Sequence, residues 1–188
     1  MLDFAIETAR EAGRVLAERF GSASLKVQHK GDIDLVTESD LAAERLIVER
    51  IRNYYPRHDI LAEESGTSSA QEGAGRSSDY KWIIDPLDGT TNYAHGYPCF
   101  CVSIALEAKG ELVIGVIYDP TRDELFAAER GGGATLNGRR IRISETNDLN
   151  EALLCTGYPY DVRGRDNFAR HFTNFILNAQ GVRRDGSA

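Results

Sequence analysis

The chain has 188 residues, of which 41% are hydrophobic and 27% charged, and its formal net charge is −7 at pH 7. This length and composition are typical of one globular domain with its own core, and they exclude an intrinsically disordered chain. The excess of carboxylates disfavours a nucleic-acid partner, whose phosphates would be repelled, and suits a protein that binds divalent cations.

Two amphipathic helices are predicted near the start of the chain. Apolar residues recur at intervals of three and four over residues 2–20, which is the spacing of one helix face. A polar connection over residues 28–34 leads to a second helix from about residue 39 to residue 55. Thr37 or Ser39 can cap the start of this second helix.

Short strands separated by turn residues are predicted in the middle of the chain. They cover residues 60–62, 80–84, 100–107, 112–118, 125–128, 134–136, 140–143 and 151–156. Lys109-Gly110 joins one pair of strands, and Asn137-Gly138 between two others is a strong signal of a type I′ hairpin. The stretch 67–79, rich in Ser, Gly and Ala, is predicted to be a loop.

The last predicted element is a helix that contains Phe168, Phe172, Phe175 and Ile176, with Gly181 as its stop. Two helices are therefore followed by an antiparallel sheet and then by mixed elements. This order predicts an α+β fold that is built in layers.

The three cysteines, Cys99, Cys101 and Cys155, predict neither a disulfide framework nor a zinc site. Cys99 and Cys101 are expected to pack within a sheet. Charged residues near the N-terminus disfavour a signal peptide, and the longest uncharged stretch is too short to span a bilayer. We therefore expect a soluble, cytoplasmic protein without a membrane partner.

The most informative stretch is residues 82–92, WIIDPLDGTTN. A predicted apolar strand brings Asp85 to its end, and Pro86 favours extended backbone at Asp85. Asp88 can face the same point, with the Leu87 carbonyl between the two carboxylates. Oxygen ligands of this kind suit Mg²⁺, although an Asp-Pro or Asp-Gly pair alone is ordinary turn chemistry.

The same stretch continues with Gly89, Thr90 and Thr91. If a helix begins there, its first backbone amides have no acceptor within the helix and can hold a phosphate. Because turn residues, carboxylates, amides and hydroxyls occur together, the whole stretch favours a metal-and-phosphate site more than its parts do.

Other carboxylates could complete such a site. Glu63 and Glu64 follow an apolar run, but paired glutamates are usually solvated surface residues. Asp34 and Asp40 flank the start of the second helix, where capping and the helix dipole are the commoner explanation for acidic residues. The residue pattern alone leaves these alternatives open.

These motifs, in this order, resemble the inositol monophosphatase family of Mg²⁺-dependent, lithium-sensitive sugar phosphatases. The resemblance rests on Asp34-Leu35-Val36-Thr37 with Asp40, on Glu63-Glu64-Ser65 and on residues 82–92. It extends through residues 115–120 and 131–138 and so covers essentially the whole chain. The fold that it implies is a layered α/β sandwich of the sugar-phosphatase type.

The resemblance also implies roles for individual residues. Glu63, Asp85 and the Leu87 carbonyl match a first metal site, and Asp85 with Asp88 matches a second. Glu63 and Thr90 match the pair that orients and deprotonates the attacking water.

Further residues match the surroundings of these groups. The phosphate cradle is matched by Gly89, Thr90 and Thr91. Asp34 matches the acid that supports Thr90, and Asp40 matches an outer carboxylate of the same network. Lys30 resembles a basic residue near the metals. The strip Gly186-Ser187-Ala188 resembles the segment that meets the sugar hydroxyls of the substrate.

Family members normally continue beyond this strip to a Trp-Asp motif whose aspartate completes the second metal site. This sequence ends at Ala188, and its only tryptophan is Trp82. We therefore expect an incomplete C-terminal part. Residues 1–145 would form the metal- and phosphate-binding part, and residues 146–188 the beginning of a second α/β part. The first metal site can be assembled from the residues present, whereas the second lacks a ligand.

The predicted activity is hydrolysis of a small polyol or sugar phosphate monoester by a metal-activated water, with inositol 1-phosphate as the leading substrate. The resemblance implies two or three Mg²⁺ ions in a complete family member, and a homodimer. Fructose 1,6-bisphosphate, histidinol phosphate and a nucleotide 3′-phosphate are alternative substrates within the superfamily. A catalytically weak binding or assembly module is an alternative of another class.

Overall fold

The computed structural model describes residues 1–22, 26–29, 35–68, 78–158 and 166–188. Lys30 and Asp34, two of the predicted site residues, lie outside these ranges. Their roles therefore stay predictions.

Two helices lie on one face of the main sheet. Helix α1 (Leu2–Arg19) and helix α2 (Glu38–Tyr54) pack against each other and against the sheet, as their apolar faces predict. The Thr37 side chain caps α2, and Asp40 completes a capping box with it. Both predicted helices are confirmed, and of the two possible caps the structure uses Thr37.

The main sheet has eight strands. They are β3 (Asp59–Ala62), β4 (Gly66–Ser68), β5 (Tyr80–Asp88), β6 (Cys101–Ala108), β7 (Glu111–Asp119), β8 (Glu124–Glu129), β9 (Gly133–Leu136) and β10 (Arg139–Arg140). Their order in space is β10-β9-β8-β7-β6-β5-β3-β4. Strands β3 and β5 are parallel, and the other neighbours are antiparallel. The sheet is therefore mixed, and the prediction of a purely antiparallel sheet was wrong.

Both predicted hairpins are present, and the turn geometry that was predicted for Asn137-Gly138 occurs in each. Lys109 and Gly110 have φ values of 52° and 83°, and Asn137 and Gly138 have values of 48° and 77°. Two consecutive left-handed residues are the requirement of a type I′ turn, which matches the twist of the flanking strands.

Two polar segments that were predicted as connections contain short strands. Strand β1 (Val27–His29) pairs antiparallel with β2 (Leu35–Thr37), and β4 pairs with β3. Strand β4 is the edge strand of the main sheet, and β1 and β2 form a separate two-stranded sheet. At three residues each, such strands leave a weak signal in the sequence.

The C-terminal elements include a separate two-stranded sheet and one helix. They are a 3₁₀ turn and three further elements: β11 (Leu153–Cys155), α4 (Asp166–Asn178) and β12 (Gly181–Arg183). Strands β11 and β12 are parallel. Gly181 was predicted only to end the helix, but it begins β12. The division of the chain at residue 145 stays a prediction.

The predicted layered α+β architecture is confirmed. Cys101 is buried as the first residue of β6, as expected for packing within a sheet, whereas Cys99 is buried two residues before that strand. In the described ranges, no helix combines the length and the apolar character that crossing a bilayer requires.

Candidate active site

Strand β5 carries two aspartates near its end, with a bulge between them. Asp85 pairs with Ser103 of β6 and Asp88 pairs with Cys101, so β5 holds one extra residue over this interval. Pro86, which has no backbone N–H, lies within the bulge, where proline is tolerated. Because side chains alternate along a strand, the extra residue turns Asp85 and Asp88 to the same side. The strand that was predicted to stop at Asp85 therefore continues to Asp88.

Glu63 reaches this end of β5 from the turn between β3 and β4. Its backbone N–H donates to the Ile84 carbonyl at 3.1 Å, which fixes the turn beside β5. Its carboxyl group shares a hydrogen bond with the carboxyl group of Asp85. Burial, reinforced by the negative charges of Glu63 and Asp88, raises the pKa of Asp85 to about 8. The structure thus brings the predicted carboxylates together.

This donor set fits a hard divalent cation. The negative charges of Glu63 and Asp88 help to raise the pKa of Asp85, and a cation among these carboxyl groups would reverse that effect. Within the part of the chain that the structure describes, no three His, Cys, Asp or Glu side chains form a complete metal cluster. Glu63 and Asp85 instead bond to each other, and Asp88 bonds to the end of the chain. The metal roles of these residues therefore stay predictions.

The Thr90 hydroxyl lies between a carboxylate and a carbonyl. Its Oγ1 is 3.1 Å from Asp40 Oδ1 and 3.0 Å from the Leu87 carbonyl oxygen, and it can donate to either. Burial raises the pKa of Asp40, although hydrogen bonds from Thr37 and Thr90 oppose this rise. The resemblance assigns support of Thr90 to Asp34, which lies outside the described residues. The structure places Asp40, expected only as an outer carboxylate, directly against Thr90.

Gly89 begins the predicted phosphate cradle. Its φ of 96° lies in the left-handed region that favours glycine, and a Cβ there would lie 3.0 Å from the Cys99 carbonyl oxygen. Helix α3 (Thr90–Ala94) follows, and its first hydrogen bond runs from Tyr93 N to Gly89 O at 3.0 Å. The amides of Thr90 and Thr91 precede that bond, so they have no acceptor within the helix.

The C-terminal strip Gly186-Ser187-Ala188 packs against Asp88. The Ser187 hydroxyl lies 3.0 Å from both the carbonyl oxygen and Oδ2 of Asp88. The backbone N–H of Ala188 also donates to Asp88 Oδ2. Asn92 ties α3 to this strip by donating from Nδ2 to the Asp185 carbonyl at 2.7 Å. The strip is therefore part of the candidate site.

A cavity of about 460 Å³ adjoins the strip. It is lined by Asp88, Cys155, Thr156, Gly157, Tyr158, Arg184, Gly186, Ser187 and Ala188. Its volume lies within the range of small-molecule sites. The lining includes one acidic residue, Asp88, and one basic residue, Arg184. The Arg184 guanidinium lies 5.4 Å from the centre of the Tyr158 ring.

Sequence reasoning missed three residues of the site. Glu44 is buried in α2 and accepts a hydrogen bond from the backbone N–H of Glu64. It follows Asp40 by four residues, a helical spacing that could have revealed it. Asn92 ends the motif but received no role. Cys101 contacts the same aspartate as the strip, and burial raises the pKa of its thiol to about 12; only the strand register reveals this contact.

Comparison with solved structures indicates the class of protein. The chain superposes on an inositol monophosphatase from Anabaena (Nostoc) sp. PCC 7120 with a TM-score of 0.82 and 46% identity, over 99% of this chain and 66% of that one. It superposes on the extragenic suppressor protein suhB from Bartonella henselae with a TM-score of 0.92 and 40% identity, over 99% of this chain and 70% of that one. The class is that of the inositol-monophosphatase-like phosphatases.

Comparison of sequences identifies the family. The model of the inositol monophosphatase family matches residues 1–188, and the chain belongs to this family. Nus factor SuhB of Pseudomonas aeruginosa is 45% identical over 192 residues, which cover all of this chain and 70% of that protein. An inositol-1-monophosphatase of Mesorhizobium japonicum is 42% identical over 190 residues, again covering all of this chain and 70% of the relative. The resemblance noted from the motifs is confirmed.

Proposed function

We propose that this chain hydrolyses a small polyol or sugar phosphate monoester with Mg²⁺ as its cofactor, and that inositol 1-phosphate is its preferred substrate. The observation that carries the proposal is the convergence of Glu63, Asp85 and Asp88 at the end of β5, next to the turn that leads to Thr90. Membership of the family and the inositol-1-monophosphatase relative support the same assignment.

The metal and the phosphate would be held by neighbouring groups. Glu63, Asp85, Asp88 and the Leu87 carbonyl offer the oxygen ligands that Mg²⁺ prefers. When bound, Mg²⁺ supplies a lowered pKa for water and neutralises negative charge on the phosphate. The backbone amides at the start of α3 would hold the phosphate oxygens.

Thr90 would orient the attacking water, and Glu63 would accept its proton. The Thr90 hydroxyl donates its own proton to Asp40 or to the Leu87 carbonyl, so its lone pairs are left to accept a hydrogen bond from water. Glu63 takes the proton as the water oxygen forms its bond to phosphorus. The bond between phosphorus and the alcohol oxygen breaks, that oxygen takes up a proton from a solvent water, and Glu63 returns its proton to solvent, so the products are inorganic phosphate and the free alcohol. No covalent phosphoenzyme is needed.

The alcohol part of the substrate would occupy the cavity beside the C-terminal strip. Asp88, Arg184 and Ser187 offer polar groups to a polyhydroxylated ring. Fructose 1,6-bisphosphate, histidinol phosphate and a nucleotide 3′-phosphate would use the same metal and phosphate groups. Discrimination among these substrates would therefore arise on the cavity side.

The test is phosphate release from a panel of these substrates at fixed Mg²⁺, with Asp85→Asn as the inactive control. We expect the wild type to release phosphate faster from inositol 1-phosphate than from the nucleotide. Equal, background rates for wild type and Asp85→Asn would overturn the proposed function.

A second candidate is the catalytically weak binding or assembly module. It is favoured by the names of several relatives, which are Nus factor SuhB and not phosphatase. The same assay separates the two candidates, because the module would bind Mg²⁺ or phosphate without turnover.

The remaining proposed properties are a cytoplasmic location, a homodimer and inhibition by lithium. Light scattering measures the dimer, and a lithium titration of phosphate release measures the inhibition. Calorimetric titration with Mg²⁺ counts the ions that are bound, and the weaker second site stays a prediction for that experiment.

A further inference from the structure

Helix α2 presents two buried carboxyl groups to the candidate site. Asp40 and Glu44 are four residues apart, so they lie on the same face of the helix, one turn from each other. They are 0% and 5% exposed. Asp40 accepts a hydrogen bond from the Thr90 hydroxyl at 3.1 Å, and Glu44 accepts one from the Glu64 backbone N–H at 2.8 Å.

The turn that carries Glu63 has two backbone anchors. The Glu63 N–H donates to the Ile84 carbonyl of β5 at 3.1 Å. The Glu64 N–H donates to Glu44 of α2 at 2.8 Å. Together these bonds fix the turn against both the strand that holds Asp85 and the helix that holds Asp40. Loss of the second anchor would remove the acceptor that Glu44 offers to the Glu64 N–H and allow the turn to shift.

We propose that Glu44 is a positioning residue that sets the place of Glu63. By this means one face of α2 aligns Glu63 and Thr90, the two groups proposed to activate water: Asp40 holds the Thr90 side chain, and Glu44 holds the backbone beside Glu63. This inference rests on the proposed function, because it takes Glu63 as a metal ligand and base.

The first turn of α2 can hold Thr90 in place because hydrogen bonds also fix that turn. Asp40 Oδ2 accepts from the Thr37 backbone N–H at 2.9 Å, while its other oxygen accepts from Thr90. The capping box therefore joins the first turn of α2 to the site. Misplacement of a reacting group by about 1 Å can lower a rate by about 100-fold, so a rigid reference of this kind matters for catalysis.

The hydrogen bond between Glu44 and the Glu64 N–H predicts which variants of Glu44 are tolerated. Glu44 acts through an acceptor oxygen at a given reach. Glu44→Gln keeps an oxygen at that reach and loses the charge, whereas Glu44→Asp keeps the charge and shortens the reach. A positioning role therefore predicts that Gln is tolerated and Asp is not. A role that depends on charge predicts the reverse order.

The experiment measures Mg²⁺ affinity by calorimetry and the Mg²⁺ dependence of phosphate release, with thermal denaturation to show that each variant is folded. We expect Glu44→Asp to bind Mg²⁺ about 10- to 100-fold more weakly, the usual effect of losing a group that orients metal ligands. Its rate at saturating Mg²⁺ should also stay below that of the wild type, because Glu63 would be misplaced as the base. Glu44→Gln should match the wild type. Glu49→Asp and Glu49→Gln, at an exposed position of the same helix, are the matched controls and should change nothing.

The outcomes separate this inference from the function on which it rests. Wild-type affinity in Glu44→Asp, or equal weakening in both Glu44 variants, would overturn the positioning role while wild type still binds Mg²⁺. Absence of Mg²⁺ binding by the wild type itself would overturn both proposals. If Glu44→Asp does not fold, Glu44→Gln decides alone: wild-type affinity supports the role, and weakening overturns it.

Discussion

The two sides of the candidate site are built differently. On the side of α2, Asp40, Glu44 and Thr90 are buried; Asp40 accepts from the Thr90 hydroxyl, and Glu44 accepts from the Glu64 backbone N–H. On the other side, the strip that contains Ser187 borders an open cavity and holds Asp88 by a hydroxyl and a backbone amide. Groups that move protons gain from being fixed before substrate arrives, whereas a surface that selects an alcohol can remain accessible. The difference suggests that rate and substrate choice are governed by separate sides.

The largest effect is expected from Thr90→Val on the buried side. Valine has nearly the shape of threonine but no hydroxyl, so kcat should fall by about 100- to 1000-fold, as for loss of a proton-handling group. Steady-state kinetics with Thr90→Ser as the rescue variant would measure this. A change confined to KM would contradict the view that the buried side governs the rate.

Gly89, where the two sides meet, should be sensitive to an added methyl group. A Cβ there would lie 3.0 Å from the Cys99 carbonyl oxygen and 3.1 Å from Ser187 Cβ, at a φ of 96°. We expect Gly89→Ala to lower the free energy of unfolding by about 2 to 4 kcal/mol through backbone strain and overpacking. Gly96→Ala is the control, because Gly96 has a φ of 72° and open space around it. Equal losses in urea denaturation would show that the close approach at Gly89 is unimportant.

A smaller effect is expected from Ser187→Ala on the open side. The variant loses the hydroxyl that contacts Asp88, and a hydrogen bond to a charged group contributes about 1.5 to 3 kcal/mol. We expect kcat/KM to fall by about tenfold, chiefly through KM. Ser144→Ala, at an exposed position, serves as the control. A loss in kcat as large as that of Thr90→Val would mean that the two sides are not separate.

The smallest effect is expected at His58, near the far end of α2 and outside both sides. Its Nδ1 accepts a hydrogen bond from Trp82 Nε1 at 3.1 Å. Burial lowers the pKa of His58, with Arg57 acting in the same direction and Asp59 against it. Because the folded-state pKa lies below the unfolded value of about 6.5, stability should fall as pH falls below that value.

The measurement is thermal denaturation as a function of pH, for wild type and for His58→Gln, which cannot titrate there. The loss of stability between neutral and mildly acidic pH should be greater for wild type. If the melting temperatures of the two proteins fall in parallel with pH, His58 does not cause the loss of stability.

Local patterns in the sequence predicted much of the fold, and tertiary contacts account for most of the rest. Helical spacing and Asn137-Gly138 act within a few residues, so the helices and hairpins could be predicted. The bulge in β5 depends on the register of β6, which no local pattern reveals. The contacts of Asp40 with Thr90 and of Glu44 with Glu64 join residues 50 and 20 positions apart. Their residue types were visible, but their partners were not.

The bulge in β5 also makes the orientation of Asp88 sensitive to the gain of a single residue. Insertion of a single codon between Cys101 and Ser103 of β6 would restore regular pairing with β5 and turn Asp88 to the opposite surface of the sheet. The preceding apolar alternation, from Trp82 to Ile84, would be untouched. We expect such an insertion to separate the two carboxylates in a chain that still folds, so the gain of one residue in β6 is a route by which a descendant could keep the scaffold and abandon the reaction.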